Sequence, residues 1–164
     1  MKNEINIKLF QSGLRWLWIT LLVIAIDHYT KVLIQQSMQP YESWYVMPSL
    51  NLTLQYNKGA AFSFLDSAAG WQLWIFGILA VGISLILMRW MQKISAKQRW
   101  LAIALALIIG GALGNLWDRI SYGHVIDFID IYAGHWHWPV FNIADSAICV
   151  GAFMLIIDSF SKKT

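Results

Sequence analysis

Four stretches of this chain carry almost no charge, and they constrain its fold more than any other feature. Residues 67–88, "SAAGWQLWIFGILAVGISLILM", and 100–117, "WLAIALALIIGGALGNLW", contain no charged residue. Residues 139–157, "PVFNIADSAICVGAFMLII", hold Asp145 alone, and 16–34, "WLWITLLVIAIDHYTKVLI", hold only Asp27 and Lys31 as full charges. Each run is close to the ~20 apolar residues a helix needs to cross a bilayer. In hydrocarbon, backbone groups must bond within their own segment, so the runs predict helices, and four spans are too few for a closed barrel. The composition agrees: 58% of the 164 residues are hydrophobic and 13% charged, where a soluble domain is about a quarter charged. The expected architecture is a mainly α membrane protein, residues 1–164 forming one integral-membrane domain. The first run resembles the core of a signal peptide, with Lys2, Lys8 and Arg15 before it, but no small-x-small site follows Ile26, so it is read as a retained span.

Basic residues divide unevenly between the connections. Lys2, Lys8 and Arg15 precede the first span, Arg89, Lys93, Lys97 and Arg99 fill the link between the second and third, and Lys162 and Lys163 follow the fourth. The longer segments 35–66 and 118–138 hold only Lys58 and Arg119. The positive-inside rule then places both termini and the 89–99 link in the cytoplasm and the two longer segments outside. The net charge of +3 is accounted for by this asymmetry, and nucleic acid is not an expected partner. Trp16, Trp18, Trp71, Trp90, Trp100, Trp117 and Trp138 sit near span ends, as an interfacial aromatic belt requires.

The outer segments carry the chemistry. Leu50, Leu52, Leu54 and Tyr56 alternate with Asn51, Thr53, Gln55 and Asn57, the period of a half-buried strand, which predicts a small sheet on the outer face. Gly59 follows, where the chain can turn or approach another backbone closely. Asp118, Asp127, Asp130 and Asp145 gather at the outer ends of the third and fourth spans. With the fourth span starting near Pro139, Asp145 lies about 9 Å along its helix, and Asp127 approaches from the adjoining outer loop.

Each constellation has a plainer reading beside it. Asp27 and Lys31, spaced i, i+4, share a helix face and form an ion pair that is structural before it is catalytic. Gly110, Gly111 and Gly114 permit close helix packing. Asn115 and Arg119 point one way, and Asp118 with Arg119 either marks the water boundary or, for Arg119, serves the nearby carboxylates. His124, His135 and His137 suggest zinc, but "HWHW" also suits interfacial anchoring and no HExxH is present. Ser121 or Ser146 could join a triad, with no nucleophile elbow to support it. The single cysteine, Cys149, excludes an intramolecular disulfide and is read as a packing residue. Asn142 and Asp145 lie on one helical face. Two carboxyls in hydrogen-bond reach cannot both ionise cheaply, so Asp127 with Asp145 would hold an acid and a base together around an attacking water. The residues alone leave this reading and separate helix-capping roles both open.

Five blocks in order, "DHYTK" (27–31), "NKGAAFSF" (57–64), "GGALGNLWDR" (110–119), "VIDFID" (125–130) and "FNIADSAI" (141–148), resemble lipoprotein signal peptidase, the signal peptidase II family. The resemblance covers nearly the whole chain. It implies a four-helix aspartyl membrane protease of the bacterial inner membrane with an extracytoplasmic β-cradle and a short interfacial helix near 59–68. It implies Asp127 and Asp145 as catalytic residues. Asn57, Gly59, Gly111, Asn115, Arg119 and Asn142 would line the site or support the dyad, with Asp27 and Lys31 behind them. No metal or other cofactor is expected. The implied partners are diacylglyceryl-modified prolipoproteins and membrane lipid, and the expected state is a monomer. One departure is His28, where the family often has Gln after the first-span Asp. A small transporter or a zinc-dependent intramembrane hydrolase is the alternative, separable by where the charges lie and by chelation.

Overall fold

The computed structural model describes residues 11–59 and 71–161. A 3-10 turn, Gly13–Trp16, leads into helix α1, Leu17–Ser37; α2 spans Trp71–Lys93, α3 Arg99–Tyr122 and α4 Ile143–Ser161. All four helices are long and apolar enough to cross a membrane. Four strands form one antiparallel sheet in chain order: β1 (Ser43–Met47), β2 (Leu50–Asn57), β3 (Val125–Ala133) and β4 (Trp136–His137). The mainly helical fold with a small sheet is the one expected. The interfacial helix near 59–68 falls almost entirely outside the described residues.

Helix α3 is the hub. Within its apolar stretch 56% of residues are buried, against 28%, 11% and 17% for α1, α2 and α4. Its "ALALIIGGALG" run presents small side chains on several faces, so three helices can pack around it at short range. Gly111 shows how short: a Cβ there would run into the carbonyl oxygen of Ala144 and lie 2.7 Å from Ile148 Cγ1. The absence of that methyl is what brings the first turn of α4, and Asp145 with it, against α3. Toward the 89–99 link, Met91, Ile94, Leu101, Leu105 and Ile109 form the larger apolar cluster. A smaller one, Met38, Leu54 and Ile126, seats the sheet on the C-terminal end of α1. The remaining faces of α1, α2 and α4 leave Leu21, Ile78, Ile86 and Phe153 exposed, as lipid contact requires.

Three expectations change. The last helix starts at Ile143, not near Pro139. Residues 139–141 lie outside the helix, because Phe141 is bridged to Ile129: its N–H donates to the Ile129 carbonyl and its own carbonyl accepts from the Phe128 and Ile129 N–H groups, so its backbone is committed to β3. Asp145 therefore lies in the first turn of α4, not 9 Å along it. Asp127 is on a strand rather than in a loop: β3 pairs with β2 through Gln55↔Asp127 and Asn51↔Asp130. Finally, α3 continues to Tyr122 and stops at Gly123, whose left-handed φ of 74° and N–H bond to the Arg119 carbonyl (3.1 Å) close the helix. Asp118 and Arg119 thus lie inside α3, and Asp118 is 1% exposed rather than at a water boundary.

Candidate active site

The site is assembled from four elements. Asn142 immediately precedes α4 and caps it: its Oδ1 accepts from the Asp145 N–H at 2.9 Å, while its own N–H donates to Asp145 Oδ2 at 3.3 Å. This reciprocal arrangement is a capping box with Asn and Asp in place of Ser and Glu. Capping, the plain reading of Asp145, is thus present, but it occupies only one carboxylate oxygen. The other, Oδ1, accepts from Asn115 Nδ2 of α3 at 2.8 Å.

Asn142 also reaches across to β3. Its Nδ2 lies 2.7 Å from Asp127 Oδ1, 3.1 Å from Asn115 Oδ1 and 3.3 Å from the Ile126 carbonyl. Asp127 Oδ2 accepts from Asn57 Nδ2 at the end of β2, 3.0 Å away, and Asn57 is oriented in turn because its Oδ1 accepts the Gly59 N–H at 3.0 Å. Asp127 and Asp145 line one cavity of about 520 Å³, together with Asn57, Asn115 and Arg119. Burial, and next the neighbouring Asp145 carboxylate, push the Asp127 carboxyl up to about 7 against the lowering hydrogen bonds from Asn57 and Asn142.

Behind the carboxylates lies a second charged layer. Lys31, fully buried, contacts Asp27 Oδ2 at 2.7 Å, Asp118 Oδ2 at 2.8 Å and Asn115 Oδ1 at 3.0 Å. Asp27 Oδ1 accepts the Ala144 N–H of α4 (2.8 Å), and Asp118 accepts the Ile126 N–H of β3 (3.2 Å). One ammonium and two carboxylates therefore bind α1, α3, α4 and β3 into one frame, and the Asp27–Lys31 pair has the structural role the spacing suggested. Asp118 is the member that sequence reasoning missed. A lone buried lysine beside one aspartate leaves donors to satisfy, and Asp118, three residues after Asn115, was the available partner.

Arg119 packs its guanidinium over Phe76 at 5.0 Å and donates to the carbonyls of Gly59 (3.0 Å) and Asn115 (3.3 Å). It borders the cavity and fixes the chain after β2. Gly111 packs against Ala144 and Ile148 and is not among the residues lining the cavity. His28 stacks edge-on with Trp117 rather than joining the site. The three histidines of the zinc reading are dispersed: His124 lies against Tyr56, His137 binds Asp130, and His135 lies in the turn before β4. Among the described residues no three His, Cys, Asp or Glu side chains gather as a metal site would require. Cys149 is exposed and lines the cavity one turn below Asp145 instead of packing in the core.

Four membrane-length helices under a small sheet, with two carboxylates cross-tied by asparagines in one cavity, define the class: a polytopic membrane protein with a paired-carboxylate site. The profile of the Signal peptidase (SPase) II family matches residues 19–161. The lipoprotein signal peptidase of Photorhabdus laumondii is 54% identical over 155 residues, 94% of this chain and 93% of its own. That of Pseudomonas aeruginosa is 50% identical over 152 residues, 92% and 90% of the two chains. A bacterial membrane enzyme solved by the in meso method at 2.3 Å resolution superposes with a TM-score of 0.82 at 32% identity, covering 92% of this chain and 90% of that one. The chain belongs to the signal peptidase II family, and is by family an aspartic peptidase.

Proposed function

We propose that this chain removes signal peptides from diacylglyceryl-modified prolipoproteins in the bacterial inner membrane, cutting just before the lipidated cysteine, with Asp127 and Asp145 as the catalytic pair. The observation that carries the reading is the shared cavity, which both carboxylates line while Asn57 and Asn142 donate to Asp127 and Asn115 and the Asn142 N–H donate to Asp145. In the proposed cycle Asp127 starts protonated and Asp145 ionised. Asp145 takes a proton from water as its oxygen adds to the scissile carbonyl carbon, and Asp127 gives its proton to the carbonyl oxygen. The resulting diol returns one hydroxyl proton to Asp127 as the C–N bond breaks, and the departing amine takes the proton held by Asp145. The pair ends as it began, with no metal and no acyl-enzyme in the cycle.

Asn57, Asn115 and Asn142 hold the two carboxylates; Gly59 and Arg119 shape the wall where the substrate backbone passes; Asp27, Lys31 and Gly111 keep α4 in place. Both termini are assigned to the cytoplasm, because Arg89, Lys93 and Arg99 lie at the end of the bundle opposite the sheet. The dyad then faces the extracytoplasmic boundary, where the lipid anchor fixes the cysteine at its depth and binding supplies proximity. One chain contributes every residue of the site, so the reading takes the working unit as a monomer. A transporter would hold its charges near the bilayer midplane, and a zinc hydrolase would lose activity to chelators. The test is turnover of a diacylglyceryl prolipoprotein by purified Asp127→Asn and Asp145→Asn, with and without chelator. Loss of turnover in both variants and indifference of the parent to chelator are expected; near-full turnover in either variant refutes the pair.

A further inference from the structure

A second cavity, about 580 Å³, opens over the sheet next to the catalytic one. The two share Asn57, Asp127 and the Trp138–Pro139–Val140 rim, so Asp127 stands at their junction. Their other walls differ in chemistry. The catalytic cavity continues along α4 past Phe141, Ile148 and Cys149, toward the depth of the bilayer. The second continues along β3 in the other direction, and its added wall is mostly polar: Ser43, Thr53, Gln55, Asp130 and His137, with Tyr56 beside them. A peptide bond placed at Asp127 therefore has an apolar channel on one side and a hydrogen-bonding channel on the other.

We propose that this polar cavity is the subsite for the first residues of the mature polypeptide, and that Asp130, Thr53 and His137 there favour neutral polar or cationic side chains over acidic ones. The inference rests on the function proposed above, since it takes the scissile bond to lie at the dyad. From Asp127 to Asp130 the strand advances about 10 Å, at roughly 3.3 Å per residue. An extended substrate covers that distance in about three residues, which puts the second and third residues, with the cysteine as the first, over this group.

The group is held rigidly. Asp130 Oδ1 lies 2.8 Å from His137 Nδ1, and Oδ2 accepts from Asn51 Nδ2 (3.2 Å) and Thr53 Oγ1 (3.1 Å); Thr53 Oγ1 also shares a 2.8 Å contact with Ser43 Oγ. The His137 ring stacks on Tyr132 at 5.4 Å, and its side chain is 52% exposed. With Nδ1 turned to Asp130, Nε2 is the ring nitrogen directed elsewhere, within reach of a passing peptide. Burial opposes ionisation of Asp130, but hydrogen bonds from His137, Asn51 and Thr53 prevail and hold its carboxyl below the usual range. The floor of the cavity thus carries an ionised carboxylate whose acceptor sites are already filled, which disfavours a second carboxylate beside it.

The test uses the full chain in lipid and a set of diacylglyceryl prolipoprotein substrates identical except for Asn, Lys, Leu or Asp at the second and third residues. For the parent enzyme, kcat/KM should be about 5- to 10-fold higher with Asn or Lys than with Asp, the scale of one or two net hydrogen bonds. Asp130→Asn should bring the Asp-bearing substrate to within about 2-fold of the Asn-bearing one. Thr53→Val and His137→Ala should flatten the Asn-over-Leu preference. These ratios are taken within one variant, so partial misfolding does not move them, and Asp130→Asn serves if His137→Ala fails to fold. A flat parent profile, or variants that keep the parent ratios, overturns the subsite. A parent that cleaves none of the substrates instead overturns the proposed function, and the subsite with it.

Discussion

Replacing Asp127 by asparagine should abolish turnover and stabilise the protein above neutral pH. In the folded chain the Asp127 carboxyl is raised from 3.8 to about 7 by burial and by Asp145. Between those two values the folded state keeps a proton that the unfolded chain has released, so folding stability falls as pH rises through that window. Above about 7 the whole cost is present: a shift of roughly 3 units at 1.36 kcal/mol each corresponds to about 4 kcal/mol. Asparagine has no charge to desolvate and removes that cost. It also sets its own NH2 group against one of two donors, Asn57 Nδ2 or Asn142 Nδ2, which now give hydrogen bonds to Asp127 at 3.0 and 2.7 Å. Losing one such bond costs about 1–2 kcal/mol. The net gain is then about 2 kcal/mol at roughly pH 8.5, and near pH 4, where both proteins are uncharged at this position, the gain should vanish or reverse. Thermal unfolding in detergent at both pH values measures it, with an expected rise of about 4–8 °C at the higher pH. An Asp127→Asn protein whose midpoint falls at the higher pH, or rises equally at both, would refute an ionised, desolvated carboxylate at this position.

Activity should follow a bell in pH, with the alkaline limb set near 7 by loss of the Asp127 proton; Asn57→Ala removes a bond that favours the ionised form, so that limb should move to higher pH, and a shift to lower pH would contradict the assignment. Gly111→Ala should lower turnover about 100-fold by pushing the first turn of α4 away from α3, while Gly82→Ala, where a Cβ meets nothing within 4 Å, should be silent; equal kinetics for the two would remove packing at Gly111 from the account. Lys31→Met leaves Asp27 and Asp118 buried without their counter-ion and should cost about 3–5 kcal/mol of stability, read as the denaturant midpoint in detergent; an unchanged midpoint would show that the pair is dispensable. Arg119→Ala should lower kcat by about 2–4 kcal/mol of activation free energy, and unchanged kinetics would reduce Arg119 to an anchor for Gly59.

Much of this protein follows from local sequence. Four apolar runs fix four helices because each backbone must satisfy itself within hydrocarbon, and the alternation from Leu50 to Asn57 fixes β2 because side chains on a strand point to opposite faces. The i, i+4 spacing of Asp27 and Lys31 likewise fixes their pairing. Those are consequences of bonding and periodicity over a few neighbouring residues. What packing decided lies between elements. Asp118 became the second partner of Lys31 only because α3 and α1 meet there, Asp127 moved from loop to strand only because β2 offered an open edge, and α4 started at Ile143 because Phe141 was already hydrogen-bonded to β3. Asn142 binds its own helix start and Asp127 with one side chain, a double use that no spacing along the chain encodes. Chain order specifies what each segment can be; the distances across the bundle, set by glycines small enough to let helices touch, specify which polar groups meet.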